Sequence, residues 1–170
     1  VPVFSSGFFR KFGPIATGVL LLVGCAAQRE LTPFQPVSSE NAIIRWQRGN
    51  VSLTCDAVCA RSASGGAFIR LYKQSPSPLL ELRLEPNGTI SAQGPLTDRS
   101  WAGVYGNAPA PLATWISFLI TYQHARALPD GEKEIHTAAA SIAYKKNDSG
   151  LKTLSIRNAD TAETISGIFR

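Results

Sequence analysis

Between residues 67 and 93 apolar and polar positions alternate with period two. Ala67, Ile69 and Leu71 fall on one side of an extended chain, and Phe68, Arg70 and Tyr72 on the other. Leu80, Leu82 and Leu84 then oppose Glu81, Arg83 and Glu85. That period belongs to strands with one buried face. Asn87-Gly88 predicts a type I′ turn with both residues at positive φ, and Ile90 and Ala92 carry the apolar face into a partner strand. The C-terminal part repeats the pattern. Ala140, Ile142 and Tyr144 oppose Ser141 and Lys145, a turn follows at Asn147–Gly150, and Leu154 and Ile156 oppose Lys152, Ser155 and Arg157. A second turn at Asn158-Ala159-Asp160 leads to a last strand carrying Ile165, Gly167 and Phe169. Short strands joined by tight turns predict an antiparallel meander whose apolar face needs a cover.

The cover is the one segment where the period changes. From Pro111 to Ala125, Leu112, Trp115, Ile116, Leu119 and Tyr122 recur at three- and four-residue spacing, and Phe118 and Ile120 widen the stripe. Pro111 suits a first helical turn. Only Thr114, Ser117, Thr121 and His124 make a polar strip. Such a helix is buried against two surfaces, or lies on a sheet with a cavity, ligand or membrane on its other side. Ahead of the sheet, Pro33, Pro36, Ser38 and Ser39 make residues 26–41 read as a tether, with a reach of about 50 Å if extended. Ser38 or Ser39 is placed to cap a short helix through Trp46, with Ile43 and Trp46 on its apolar side. Gly94–Pro111, with Trp101 and Tyr105, is a long irregular connection of the kind that forms lids and binding loops. The expected fold is α+β: a curved antiparallel sheet, a half-barrel of about six to eight strands, covered by one apolar helix at 111–125.

Composition first suggests a single basic domain: 170 residues, 44% hydrophobic, with a net charge of +5. The N-terminal residues change that picture. Arg10 and Lys11 precede an apolar run from Phe12 to Gly24, too short to span a bilayer and built like a secretory signal. The run ends in Leu22-Val23-Gly24-Cys25, and here the chain resembles a bacterial lipoprotein precursor. The resemblance implies cleavage before Cys25, a diacylglyceryl thioether on its sulfur and an acyl chain on its new amino group, which together make a stable membrane anchor. Ala26 after the cysteine implies the outer membrane of a Gram-negative envelope, on the inner leaflet facing the periplasm. The expected organisation is a signal at 1–24, lipidated Cys25 and tether at 25–41, and one sheet domain at 42–170. Loss of Arg10 and Lys11 with the signal lowers the charge from +5 to +3. With no basic run longer than Lys145-Lys146, nucleic acid is not an expected partner.

Chemical motifs add little. Neither a nucleophile elbow, a phosphate-binding glycine loop nor a zinc-protease motif is present, so the expected role is not enzymatic. No cofactor or metal is expected: His124 and His136 lack a partner spacing suited to zinc. Cys55 and Cys59 are candidates for a disulfide in an oxidising compartment, with two buried free thiols as the alternative. On a straight strand they stand about 13 Å apart, so a bridge requires a turn or bulge between them. The lipid anchor, the sheet and its apolar helix together are similar to the LolA/LolB class of lipoprotein carriers and receptors. That resemblance implies acyl chains held between sheet and helix, with Leu80, Leu82, Leu84, Ile90, Trp115, Phe118 and Ile142 as candidate linings and a lipid or lipoprotein as cargo. The alternative is a structural or assembly lipoprotein that docks an envelope protein through a sheet edge or the 94–111 loop.

Overall fold

The computed structural model of the protein describes residues 34–170. Pro36–Arg48 forms a 13-residue strand, β1, where a tether passing into a short helix was expected. Ala42, Ile44 and Trp46 point to one side of it, and Ile43, Arg45 and Gln47 to the other. Two ladders outweigh the local helix cues: β1 pairs along its length with β2 (Val51–Ser62) and, from Ala42 onward, with β10 (Thr164–Phe169). Pro36 is the first residue of the strand, where its missing N–H is tolerated. The tether therefore stops short of 41. Phe34 is already held, packed edge-on against Phe68 at 4.9 Å with the Arg83 guanidinium 5.7 Å from its ring centre.

From β2 the meander runs outward through β3 (Ala67–Tyr72), β4 (Leu80–Leu84), β5 (Ile90–Gln93) and β6 (Trp101–Gly103). It resumes at the far edge with β7 (Gly131–His136) and returns through β8 (Ala140–Asn147) and β9 (Gly150–Asn158) to β10. The sheet order is β6-β5-β4-β3-β2-β1-β10-β9-β8-β7, ten strands rather than six to eight, all pairs antiparallel. The additional strands have weak signatures. Apart from Arg61, β2 buries small residues, β6 is three residues long, and all six residues of β7 are exposed. The β4–β5 turn also differs from expectation. Gly88 alone among Pro86, Asn87 and Gly88 has positive φ, +82°, and its N–H donates to Glu85 O at 2.9 Å. Proline fixes φ near −65°, so Pro86 imposes a type I turn closed by a left-handed glycine instead of type I′.

The helix α1 (Ala110–His124) lies within a residue of its expected bounds and is followed by a 3-10 turn at Ala125–Ala127. It is part of the connection that carries the chain from the β6 edge to the β7 edge. On the way it packs on β3 and β4 on one side of the β1–β2 pair and on β9 and β10 on the other. Its face toward the sheet holds Leu112, Trp115, Ile116, Phe118, Leu119 and Tyr122. Gly167 of β10 lets the helix come close, since a Cβ there would stand 2.9 Å from Phe118 Cζ. Phe169 stacks on Tyr122 at 5.5 Å and lies 6.5 Å from Phe118.

Candidate functional site

The alternation in β3, β4 and β5 sends every second side chain toward α1. The seven candidate lining residues do fall in one apolar cluster. Leu80, Leu82, Ile90, Trp115 and Phe118 are buried within it, and Leu84 and Ile142 pack at its margin. Leu84 belongs to β4 and Ile142 to β8, so the set spans both halves of the sheet. The helix itself occupies the space over the sheet.

Two polar inclusions interrupt this core, and neither was expected. Thr114, placed by its spacing on the polar strip, is 1% exposed and donates to Glu163 Oε2 at 2.6 Å. The other oxygen of that carboxylate accepts from Trp46 Nε1. Glu163 precedes β10 and is itself buried, so helix, β1 and β10 meet at one carboxylate. Only Ser117, Thr121 and His124 behave as the polar strip. The two hydroxyls bond back to Ala113 O and Ser117 O within the helix, and His124 is exposed. The second inclusion is Arg61 of β2, which follows Cys55, Ala57 and Cys59 on the buried row. It is ion-paired with Glu40 of β1 and stands 4.7 Å from the centre of the Tyr122 ring. Burial raises the Tyr122 hydroxyl above its ordinary value, with Cys59 and Glu40 adding to the effect. A charged residue breaking an apolar alternation was the sequence signal for Arg61.

The apolar surface opens at the start of α1. A cleft of about 480 Å³ is lined by Leu96, Trp101, Pro109, Pro111 and Leu112, with Asp98 and Arg99 among its polar residues. Leu112 belongs to the core and Trp101 packs against it, so the cleft adjoins the buried cluster. The first helical turn has no side-chain cap, because the N-cap residue is Pro109. The loop beneath is fixed by backbone, with Leu96 N–H donating to Leu79 O at 3.0 Å and Thr97 N–H to Gly94 O at 2.9 Å, and the Thr97 hydroxyl donates to the same Gly94 O at 2.7 Å. The long 94–111 connection was singled out in the sequence. The convergence of Leu96 with Leu112 was not, since it depends on how the loop folds back.

The disulfide candidate is corrected. Cys55 and Cys59 are both free and buried, on the same face of β2, whose register against β1 is unbroken from Val51 to Arg61. With no turn or bulge between them, the straight-strand separation of about 13 Å stands. Burial pushes the Cys59 thiol up to about 12, Glu40 adding and Arg61 opposing. Cys55 is raised by burial, against an opposing effect of Lys73. Among the described residues, no three His, Cys, Asp or Glu side chains gather in a group able to hold a metal. His136 lies 3.5 Å from Glu134 on exposed β7, far along the sheet order from the cysteines of β2. Cys25 and the signal lie outside the described residues. No helix among those described is long and apolar enough to cross a membrane.

No family model matches the chain, and no curated protein matches its sequence. Among solved structures it is similar to a LolA superfamily protein from Nitrosomonas europaea, at 7% identity and a TM-score of 0.39, over 78% of this chain and 83% of that one.

Proposed function

We propose that the protein is an envelope lipoprotein, anchored through acyl chains on Cys25 to the inner leaflet of the outer membrane, that binds a lipid or lipoprotein acyl chain without catalysing a reaction. The observation that carries this reading is the cleft at the uncapped end of α1, whose apolar side, Leu96, Trp101, Pro109, Pro111 and Leu112, adjoins the core beneath the helix through Trp101 and Leu112. An acyl chain entering between Leu96 and Leu112 buries methylenes at about 0.8 kcal/mol each. Ten of them supply roughly 8 kcal/mol before the cost of ordering chain and loop. The candidate linings Leu80, Leu82, Leu84, Ile90, Trp115, Phe118 and Ile142 then form the surface against which the chain is accommodated as the helix yields.

The test is quenching of tryptophan fluorescence by a brominated stearate, using the full chain in mild detergent. Trp101 lines the cleft, Trp46 is engaged by Glu163 and Trp115 lies in the core beneath the helix, so quenching is expected to be saturable and clearly reduced in Trp101→Phe, the remainder coming from Trp115. Absence of quenching, or quenching indifferent to that substitution, rejects the reading. A second reading, docking of an envelope protein partner, is favoured by β7. This strand closes one edge of the sheet with all six residues exposed, and its Ile135 is 42% exposed. Photocrosslinkers at position 135 that capture a defined partner in whole cells, with no stearate binding in vitro, support that alternative.

A further inference from the structure

A second cleft, of about 370 Å³, lies at the opposite end of α1 and has a different chemistry. Ser38 and Glu40 of β1 and Arg61 of β2 line it, together with Ala125 and Arg126 after the helix, Asp130, Lys146 and the 147–151 turn. Three basic and three acidic side chains face it: Arg61, Arg126 and Lys146 against Glu40, Asp130 and Asp148. Such a balance favours neither a bare anion nor a bare cation.

Two of the basic groups are engaged within the fold. Arg61 is paired with Glu40, and Lys146 Nζ donates to Asp130 Oδ1 at 2.9 Å and Leu128 O at 2.8 Å. What remains is polarised. Glu40 Oε2 and Ser38 Oγ, which can accept, and Arg61 Nε, which can only donate, are buried without a hydrogen-bond partner, an arrangement that carries a desolvation penalty until a group offering both a donor and an acceptor arrives. They sit at the C-terminal end of α1, where the partial negative charge of the helix favours a cation. Arg126 is exposed and forms no ion pair among the described residues, which leaves one basic group for an anion. The volume is within the range of small-molecule sites.

We propose that this cleft binds a small zwitterion carrying a primary ammonium group. The ammonium donates to Glu40 Oε2 and Ser38 Oγ, and the anionic group pairs with Arg126. Phosphoethanolamine, as a lipid head group, and free amino acids share that chemistry. The site does not depend on the acyl-chain reading.

Calorimetric titration of the full chain in mild detergent tests it, with phosphoethanolamine, glycine and phosphocholine as probes. Phosphoethanolamine is expected to bind saturably at one site. Phosphocholine keeps the phosphate but has no N–H to donate, so it is expected to bind at least about tenfold more weakly. Arg126→Gln, an exposed change, is expected to weaken phosphoethanolamine several-fold while leaving the thermal unfolding midpoint in place. Preference for phosphoethanolamine over glycine, with sedimentation on phosphatidylethanolamine vesicles, identifies a head group; the reverse preference identifies a free amino acid. The proposal is overturned if neither ammonium probe binds the folded protein, if phosphocholine binds equally well, or if Arg126→Gln has no effect.

Discussion

Gly167→Ala probes how closely the helix rests on the sheet. The added Cβ would stand 2.9 Å from Phe118 Cζ and 3.3 Å from two atoms of the Phe169 ring. Phe118 is fully buried in the core, with its ring stacked near Phe169 of β10. Overpacking of this kind costs about 1–3 kcal/mol. Against it, alanine has less unfolded-state entropy to lose than glycine, a gain of about 0.5–1 kcal/mol. Taking the middle of each range, the net expectation is a loss of about 1.3 kcal/mol. With a urea slope near 2 kcal/mol/M, the unfolding midpoint falls by about 0.6 M. A double-mutant cycle assigns the cause. Phe118→Leu removes Cζ, so Gly167→Ala in that background is expected to be neutral or mildly stabilising, giving a coupling of about 1–2 kcal/mol. Urea titration followed by circular dichroism measures all four proteins. An unchanged or raised midpoint in Gly167→Ala, or the same deficit in the Phe118→Leu background, would refute the contact as the origin of the effect.

Three other outcomes are expected. Thr114→Val leaves the buried Glu163 carboxylate with Trp46 as its remaining donor and is expected to lower stability by about 1–3 kcal/mol; calorimetry showing no change in Tm would count against an ordered bridge. Arg61→Ala strands the partner carboxylate of a largely buried pair and is expected to cost about 3–5 kcal/mol, most of which returns when Glu40→Leu is combined with Arg61→Met; failure of that recovery would contradict the pairing. The Cys59 thiol, held at about 12 when folded, titrates lower in the unfolded chain, near 8.5. Its contribution is therefore complete below about pH 8.5 and lost as pH rises toward 12, with Tyr122 acting in the same direction. Urea midpoints should drop between pH 8 and pH 10.5 and drop less in Cys59→Ala; a flat profile would deny the shift.

The elements most legible in the sequence were those whose burial is one-sided and whose buried residues are large. In β3, β4 and β5 the leucines and isoleucines alternate with charge, and α1 is apolar around most of its girth. β1 was obscured because Pro36, Ser38 and Ser39 describe a local preference, whereas its strand state comes from β2 on one side and a segment more than a hundred residues away on the other. β7 buries nothing and so leaves no apolar period. Thr114 has the spacing of an exposed residue, but its surroundings are set by Glu163, 49 positions on. The two clefts follow the same rule. Leu112 and Trp101 were visible as apolar residues, but neither Leu96 over the helix start nor Glu40 beside Arg126 is a near neighbour in sequence.

The pairing of β1 with β10 also sets the timetable of folding. Ala42 lies opposite Phe169, so two neighbouring strands in the interior of the sheet come from the first and last of its strands along the described residues. Each half can meander on its own, but the halves join only through a contact that closes a very long loop, the kind of step that slows folding. Until residues 164–169 are available, β1 and β9 expose bare edges at what will be the centre of the sheet. Without β10 the sheet stays in two parts and the core beneath α1 is incomplete. Removal of β10 would therefore unpair β1 and β9 together and divide the sheet.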